Sequence, residues 1–245
     1  MRPRFVDCHS HVVPSGDDGA QSLADGIALC ELAARSGTEV LYATPHIWPH
    51  LVLTDEREEA VRRGFKALRL DAPLELRLGY ELTPAPPLLE EDPGRYALEG
   101  TDVVLVEVPF AGPADDLFAL AEHVEAAGLV PLIAHPERTE AVRARPALAE
   151  ELAERGWPLQ VNSTSVTGRH GPEAAALAWR LIERGHARVV ASDGHRLTRP
   201  ARLDDAYELV SARVGEEAAA PLFDGTGLGL TNRLPTPSRA GARDA

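Results

Sequence analysis

Histidines and acidic residues follow the short apolar runs of this sequence, at the points where predicted strands end. His9-Ser-His11 follows the first run, and Asp193-Gly-His195 follows the last. Side chains alternate along an extended chain, so the two histidines of a His-x-His pair point to one side, about 6–7 Å apart along the backbone. Both imidazoles can then reach one metal ion. The Asp-x-His pair repeats this geometry with a carboxylate, and both pairs therefore indicate metal chemistry.

Histidines or acidic residues also follow most of the apolar runs between the first and the last. The candidate ligands are His9, His11, His46, Glu81, Glu107, His135, Asp193 and His195. Imidazole and carboxylate without thiolate favour Mn²⁺, Fe²⁺ or Zn²⁺. This set exceeds what one ion can use, which predicts two or three ions that share bridging carboxylates. Each residue alone would more often belong to a solvated loop or strand end, so the joint pattern carries the hypothesis.

Short apolar runs alternate with amphipathic stretches along the chain. The predicted strands are 4–8, 40–43, 74–78, 102–108, 130–134, 158–161 and 188–191. The predicted helices are 22–36, 54–70, 114–127, 146–155, 172–184 and 204–214. Strict alternation predicts parallel pairing with right-handed crossovers, in a barrel of (β/α) units or an open doubly wound sheet. In a barrel, the candidate ligands would gather at one rim, where active sites of this architecture lie.

Composition excludes several classes of protein. The 245 residues include 38 acidic and 25 basic side chains, for a formal charge of −13, which argues against binding to nucleic acid or to an anionic membrane surface. No apolar run is long enough to span a bilayer, and the first residues turn polar too soon for a signal peptide. We therefore expect a cytoplasmic protein without membrane insertion.

The two cysteines point to packing rather than chemistry. Cys8 and Cys30 form no C-x-x-C pair and no disulfide framework. Neither begins the Cys-x5-Arg loop of cysteine-based tyrosine phosphatases, because Pro14 and Ser36 stand at the required positions. That class of enzyme is excluded.

Several motifs, taken together, resemble one family. They are His9-Ser-His11, Gly16-Asp17-Asp18-Gly19, Thr44-Pro-His46, Glu81, Glu107, His135-Pro-Glu-Arg138 and Ser192-Asp193-Gly-His195. This combination resembles the PHP (polymerase and histidinol phosphatase) superfamily over residues 4–232. It is most similar to the bacterial protein-tyrosine phosphatases of that superfamily that are linked to capsule and exopolysaccharide synthesis. The resemblance implies a distorted (β/α)7 TIM-like barrel, the PHP fold, as a single domain over residues 1–234, with a flexible tail at 235–245.

The resemblance also implies a trinuclear centre, usually dependent on manganese. The implied first site uses His9, His11, Glu81 and Asp193; the second uses Glu81, Glu107 and His135; and the third uses Asp18, His46 and His195. Spacing alone makes Asp17 an equal candidate for the place of Asp18. Fe²⁺ or Zn²⁺ in place of Mn²⁺ is compatible with the same ligands.

Two arginines complete the implied catalytic group, together with Asp18. Arg138 matches an arginine that the family places against the substrate phosphate. Arg199 would match a second, although its spacing from His195 is one residue shorter than the family pattern. The implied activity is hydrolysis of phosphotyrosine by a hydroxide that bridges two ions. The expected partner is a phosphotyrosine protein, in particular a bacterial tyrosine kinase, and formation of a homo-oligomer is compatible with this interpretation.

Other functions stay open as alternatives. Hydrolysis of histidinol phosphate or another small phosphoester would use a similar metal core. A metal-binding regulatory module that has lost catalysis is a further alternative, against which Arg138 and the full ligand set argue. Amidohydrolases share His-x-His on a barrel strand, but many of them bridge two metals with a carboxylated lysine at the fourth strand. Glu107 occupies that position here, and the only lysine, Lys66, lies in a predicted helix.

Overall fold

Parallel strands alternate with helices through the residues that the computed structural model describes, 4–110 and 114–230. The strands are β1 (Phe5–Asp7), β2 (Thr38–Ala43), β3 (His46–Ile47), β4 (Glu75–Leu78), β5 (Glu81–Leu82), β6 (Val103–Glu107), β7 (Val130–Ala134), β8 (Leu159–Asn162) and β9 (Ala187–Ala191). The tail predicted at 235–245 lies outside the described residues.

Helices connect these strands. They are α1 (Leu23–Arg35), α2 (Asp55–Asp71), α3 (Asp115–Ala126), α4 (Glu140–Ala144), α5 (Ala147–Glu154), α6 (Ser163–Val166), α7 (Pro172–Glu183), α8 (Asp204–Val214) and α9 (Glu216–Phe223). Within the described ranges, no helix has the length and apolar character needed to cross a bilayer. The result is a mixed α/β domain with parallel sheets.

The seven predicted strands are confirmed, and two of them continue beyond a short break. The chain leaves β2 at Ala43 and resumes pairing as β3, while β4 resumes as β5. Backbone hydrogen bonds bridge the break, because Gly79 N–H donates to the Ala43 carbonyl at 2.9 Å and Glu81 N–H donates to the Pro45 carbonyl at 3.2 Å. The two pairs of strands therefore form one continuous ladder.

Every pairing between these strands is parallel. One sheet has the order β1-β2-β4, and the other has the order β3-β5-β6-β7-β8-β9. The segments that follow β1 and β9 also pair, since Asp193 N–H donates to the His9 carbonyl at 2.9 Å and His11 N–H donates to the Gly194 carbonyl at 2.7 Å. The carboxyl ends of parallel strands lie at the same edge, so the residues that follow them meet there.

Local sequence accounts for the predicted helices, whose ends lie within one residue of the predicted bounds. Ser22 Oγ accepts a hydrogen bond from Asp25 N–H at the start of α1, and Thr54 Oγ1 accepts one from Arg57 N–H at the start of α2. Gly26 lets α1 approach the segment after β1 closely, because a Cβ at this position would lie 2.3 Å from the Val12 carbonyl oxygen.

Three helices lie outside the predicted set. α4 and α6 span only five and four residues, which is too short to show helical periodicity. α9 begins directly after Gly215 and contains Pro221, a residue that normally argues against a helix interior. Its Leu222 and Phe223 are nevertheless buried, so tertiary packing stabilises this helix.

The two cysteines are buried free thiols, as their packing role predicts. Burial raises the pKa of the Cys30 thiol to about 12, and burial together with the charge of Asp7 raises that of Cys8 further. Neither thiol is reactive at neutral pH.

We expect Phe5→Ala to destabilise the fold strongly. Phe5 is fully buried, with its ring centroid 5.4 Å from that of Tyr207 and 6.0 Å from that of Phe223. Truncation leaves a cavity and should lower the free energy of unfolding by about 3–5 kcal/mol, measured by denaturant titration. Leu70→Ala is the matched control, because Leu70 is 86% exposed and its loss should change the free energy by less than about 0.5 kcal/mol. Equal stability of the two variants would contradict this packing.

Candidate metal centre

The carboxylate of Glu81 lies at the centre of a cluster of buried histidines. Its Oε2 lies 3.1 Å from His9 Nε2 and 3.3 Å from His11 Nε2. The same oxygen lies 3.0 Å from His46 Nδ1, while Oε1 lies 2.9 Å from His135 Nε2. Side chains that follow β1 and β7, or that begin β3 and β5, thus meet at one carboxylate.

Alternation along the extension of β1 places both of its histidines on the same side. Ser10, between them, points away: its Oγ donates to the Tyr42 carbonyl at 2.7 Å, and its own carbonyl accepts from Thr44 N–H at 2.7 Å. The Nε2 atoms of His9 and His11 lie only 3.1 Å apart. Both can therefore reach a common ion.

Asp193 supplies the second buried carboxylate of the cluster. Its Oδ1 lies 3.5 Å from both His9 Nε2 and His11 Nε2, and 3.3 Å from His195 Nδ1. Asp193 has a φ of +52° and His135 a φ of +35°, the positive values found at non-glycine residues of the described chain. Left-handed backbone costs on the order of 1–3 kcal/mol at such residues and concentrates at functional sites.

Glu107, at the end of β6, faces the same cluster. Burial and the negative charge of Glu81 raise its pKa to about 8. The Thr83 hydroxyl donates to its Oε1. The ligand atoms of Glu107, Glu81 and His46 lie within 4.8 Å of one another. A cation at this point would stabilise the charged form of Glu107.

The structure distinguishes the two neighbouring aspartates that spacing leaves equivalent. Asp17 is buried and accepts from the backbone N–H of His46 at 3.0 Å, with His11 Nδ1 3.5 Å away. Asp18 is half-exposed and faces the cluster, because its Oδ1 lies 3.2 Å from His195 Nε2 and 3.5 Å from His46 Nε2. Asp17 thus orients histidines, while Asp18 is placed where the predicted ligand would be.

The two central carboxylates hold their charge against burial. Burial alone would raise the pKa of Glu81, but the neighbouring His9 and His46 outweigh it and hold that pKa well below its usual value. Burial likewise opposes charge on His9 and His11. Glu81 and Asp193 nevertheless raise the pKa of His9, and Asp17 together with these two carboxylates raises that of His11. Charge on the buried carboxylates thus depends on positive charge beside them, which bound divalent cations could supply in place of imidazole protons.

Several buried polar atoms of this cluster lack a hydrogen-bond partner within the described chain. They are His11 Nδ1, His46 Nδ1, Glu81 Oε2, Glu107 Oε2 and His135 Nδ1. Each such atom costs about 1–3 kcal/mol unless something compensates it. The carboxylate oxygens among them face imidazole nitrogens across short distances, an arrangement that divalent cations fit.

Hydrogen bonds at the outer ring nitrogens prepare two histidines as ligands. Gln160 Oε1 lies 2.9 Å from His9 Nδ1, so a proton on Nδ1 leaves the lone pair of Nε2 facing Glu81. The Asp193 carbonyl lies 2.9 Å from His195 Nδ1 and fixes its ring in the same way. Burial lowers the pKa of His195 to about 4, which keeps it neutral. Neutral, oriented imidazole is the form that binds metals.

The candidate ligands fall into four overlapping sets, each with its ligand atoms within 4.8 Å of one another. The sets are His11-His46-His195, His9-Glu81-His135, His9-His11-Asp193 and His46-Glu81-Glu107. All the histidines and acids that the motifs predict lie at one rim of the sheet, with Asp18 at its outer side. The sharing of Glu81 between sets matches the need for a bridging carboxylate.

Both predicted arginines reach this rim. Arg138 Nη1 donates to Asp193 Oδ2 at 2.6 Å, and its guanidinium lies 4.8 Å from the ring centroid of Phe110. Arg199 Nη2 donates to Asp193 Oδ1 at 2.8 Å, so its shorter spacing from His195 does not keep it from the site. The two arginines line one cavity of about 220 Å³ with the outer ligands.

Two aromatic side chains at the rim were not predicted as part of the site. The indole of Trp48 stacks on His46 with ring centroids 4.4 Å apart, and Phe110 stacks on His135 at 5.5 Å. Both line the cavity that the arginines share. Their apolar surface shields the imidazoles from water, but no spacing in the sequence marks them.

A further pair of residues supports the site from β8. Gln160 Nε2 donates to Asn162 Oδ1 at 2.7 Å, and Asn162 Nδ2 donates to Asp193 Oδ2 at 2.8 Å. Their spacing of two on a strand puts both on the inner side. In the sequence, these two residues stand out only as polar side chains at the end of an apolar run. That pattern alone predicts no role for them at the site.

A family model and two similar relatives point to the same protein family. The family model for capsular polysaccharide synthesis, CpsB/CapC, matches residues 5–226. Tyrosine-protein phosphatase YwqE of Bacillus subtilis is 30% identical over 235 residues, which cover 94% of this chain and 92% of the relative. Tyrosine-protein phosphatase CpsB of Streptococcus agalactiae is 27% identical over 233 residues, covering 89% and 95% of the two chains.

A solved structure is similar over nearly the whole fold. It comes from a crystallographic study of YwqE from Bacillus subtilis and CpsB from Streptococcus pneumoniae, described as metal-dependent tyrosine phosphatases. The TM-score is 0.81 at 29% identity, over 95% of this chain and 96% of the other. The family and the fold thus agree with the motif pattern.

Replacement of His135 should remove metal. His135 belongs to the set with His9 and Glu81, so His135→Ala should lower the manganese bound after loading and desalting by at least one ion per chain. Elemental analysis measures this, and circular dichroism checks that the fold persists. His186→Ala is the control, since His186 lies between α7 and β9, outside these sets. Unchanged metal content in His135→Ala would refute the ligand assignment.

Proposed function

The chain belongs to the CpsB/CapC family of capsular polysaccharide synthesis proteins, and on that basis we propose that it is a metal-dependent phosphatase of phosphotyrosine proteins. The observation that carries this proposal is the convergence of metal-competent side chains and two arginines on one cavity. Tyrosine-protein phosphatase is also the name of the relatives in Bacillus subtilis and Streptococcus agalactiae.

Three ligand groups would hold the ions. They are the groups that the family resemblance implies: His9, His11, Glu81 and Asp193; Glu81, Glu107 and His135; and Asp18, His46 and His195. In the structure, Glu107 shares a set with His46 and Glu81, whereas His135 shares one with His9 and Glu81. Mn²⁺ is the proposed metal, with Fe²⁺ or Zn²⁺ compatible with the same imidazole and carboxylate donors. Divalent ions bound there would lower the pKa of a coordinated water from 15.7 toward about 7 and would offset the charge of a phosphate.

The arginines position the phosphate in this proposal. The guanidinium groups of Arg138 and Arg199 line the cavity beside Asp193, and each presents a fork of N–H donors. Such a fork matches two phosphate oxygens at once and stabilises the charge that develops on them. The leaving phenolate has a pKa of about 10, so it needs less protonation than a serine alkoxide does.

Hydrogen bonds to the candidate ligands hold these side chains in place. Gln160 orients the ring of His9, Asp17 holds the backbone of His46, and Asn162 holds one oxygen of Asp193. Each contact fixes the direction in which a ligand atom points, and such partners commonly change metal affinity about 10–100-fold when removed.

We also propose a distorted (β/α)7 barrel as the full architecture, extending over residues 1–234. The continuous ladder through β2–β5 and the hydrogen bonds that join the segments after β1 and β9 support closure. We propose a cytoplasmic location and a tyrosine kinase of the same cell as the physiological partner. A homo-oligomer stays a prediction of the sequence.

Hydrolysis of p-nitrophenyl phosphate should depend on added Mn²⁺ and cease after chelation. His135→Ala should be inactive in the same assay, because it removes an imidazole from the cluster. A phosphotyrosine peptide should then be a better substrate than histidinol phosphate, by kcat/KM. Absence of metal-dependent turnover would favour a regulatory module instead, and preference for histidinol phosphate would assign the small-molecule activity.

Arg138→Ala should reduce kcat/KM for p-nitrophenyl phosphate by a factor of about 10²–10³. This is the usual effect of losing one hydrogen-bond donor to a developing anionic charge. Arg155→Ala is a matched control, because Arg155 also pairs with a glutamate, Glu122, and lies 5.1 Å from the ring centroid of Phe118. Arg155 does not line the cavity, so its loss should leave kcat/KM within about twofold. Equal effects of the two substitutions would overturn the role of Arg138.

A further inference from the structure

An apolar groove of about 250 Å³ lies beside the metal centre. Its lining includes the buried side chains of Ile47, Leu53 and Leu88, together with Val52, which is 45% exposed. A cavity of about 150 Å³ holds one benzene molecule. This groove therefore has room for more than one apolar side chain.

The groove continues directly from the cavity that holds the candidate ligands. Side chains alternate on β3, so His46 faces the metal centre while its neighbour Ile47 lines the groove. Trp48 borders both spaces. Thr83 likewise lines the groove while its hydroxyl donates to Glu107, which lines the cavity. A polypeptide with one side chain in the cavity can therefore place a neighbouring one in the groove.

The groove is built from rigid segments. Pro84, Pro86 and Pro87 form part of its lining, and each has a fixed φ and no backbone N–H. On the other side, Arg57 donates to the carbonyl of His46 at 2.8 Å and to that of Leu51 at 2.6 Å. A preformed surface loses little conformational entropy on binding. The prolines offer no donors for strand addition, so recognition here depends on side chains.

Carboxylates also line this groove. The Glu91 carboxylate forms an ion pair with Arg95 and accepts a hydrogen bond from the Tyr96 hydroxyl. Asp116, in contrast, is exposed on the first turn of α3. An apolar surface with an exposed carboxylate is complementary to a peptide that carries apolar residues and a basic one. A phosphotyrosine segment of that composition would fit the groove and the cavity at the same time.

We propose that this groove binds apolar side chains on one side of the phosphotyrosine, in an extended segment of the protein substrate. This choice of ligand rests on the proposed function, because it requires that phosphotyrosine enters the neighbouring cavity. An extended chain rises about 3.3 Å per residue, and Trp48 borders both spaces, so residues close to the tyrosine in sequence would reach the groove. The groove would thus select among phosphotyrosine sites in proteins, a selection that the ligands and arginines cannot make.

Synthetic phosphopeptides test this directly on the full-length, manganese-loaded protein. Three peptides share a glycine-serine background around one phosphotyrosine: one has two leucines before it, one has two leucines after it, and one has none. Leucines on one side only should raise kcat/KM at least tenfold over the peptide without them. Val52→Asp should remove most of this advantage, whereas Leu70→Asp, at an 86% exposed leucine on α2, should preserve it.

Hydrolysis of p-nitrophenyl phosphate separates failure of the inference from failure of the function. Suppose that this ester is hydrolysed but leucines do not raise kcat/KM, or raise it equally on both sides of the phosphotyrosine. The groove then does not bind side chains of the substrate. An advantage that survives Val52→Asp would also overturn the proposal. Absence of metal-dependent hydrolysis of the ester itself would refute the phosphatase function, and with it the occupant proposed here.

Discussion

Burying two carboxylates side by side is the electrostatic problem on which the rest of the structure depends. Glu81 and Asp193 are almost fully inaccessible to water, and isolating a charge in this way costs several kcal/mol per ion even after relaxation. The chain meets this cost with imidazoles on one side and guanidinium groups on the other. Because these partners come from most of the strand ends, the fold must bring all of those ends to one rim. The parallel arrangement of the strands does so.

The acidic net charge has a related interpretation. Four of the acids, Asp18, Glu81, Glu107 and Asp193, lie in or beside the cluster, where divalent ions would offset them. A formal charge of −13 therefore overstates the repulsion that an anionic substrate would meet at the rim. Arg138 and Arg199 add positive charge at that same place. The other acidic residues keep the chain acidic outside this rim.

Sequence patterns predicted the regular elements and the meeting of histidines and acids at one rim, because both depend on local periodicity. Parallel strands bounded by glycine and proline, and histidines placed at strand ends, are visible in one dimension. The remaining features depend on contacts distant in sequence. Burial distinguishes Asp17 from Asp18, packing of Leu222 and Phe223 maintains α9 despite Pro221, and ring stacking brings Trp48 to the rim. None of these contacts leaves a periodic trace in the sequence.

The pairing of the segments after β1 and β9 has a consequence for biosynthesis. The backbone of Asp193 and Gly194 that anchors His9 and His11 is made long after these histidines, because most of the described strands and helices lie between them in sequence. Contacts of such long sequence separation form late and slowly. The first histidines therefore lack these partners until the chain has been made through Gly194, and the rim cannot be complete before that point.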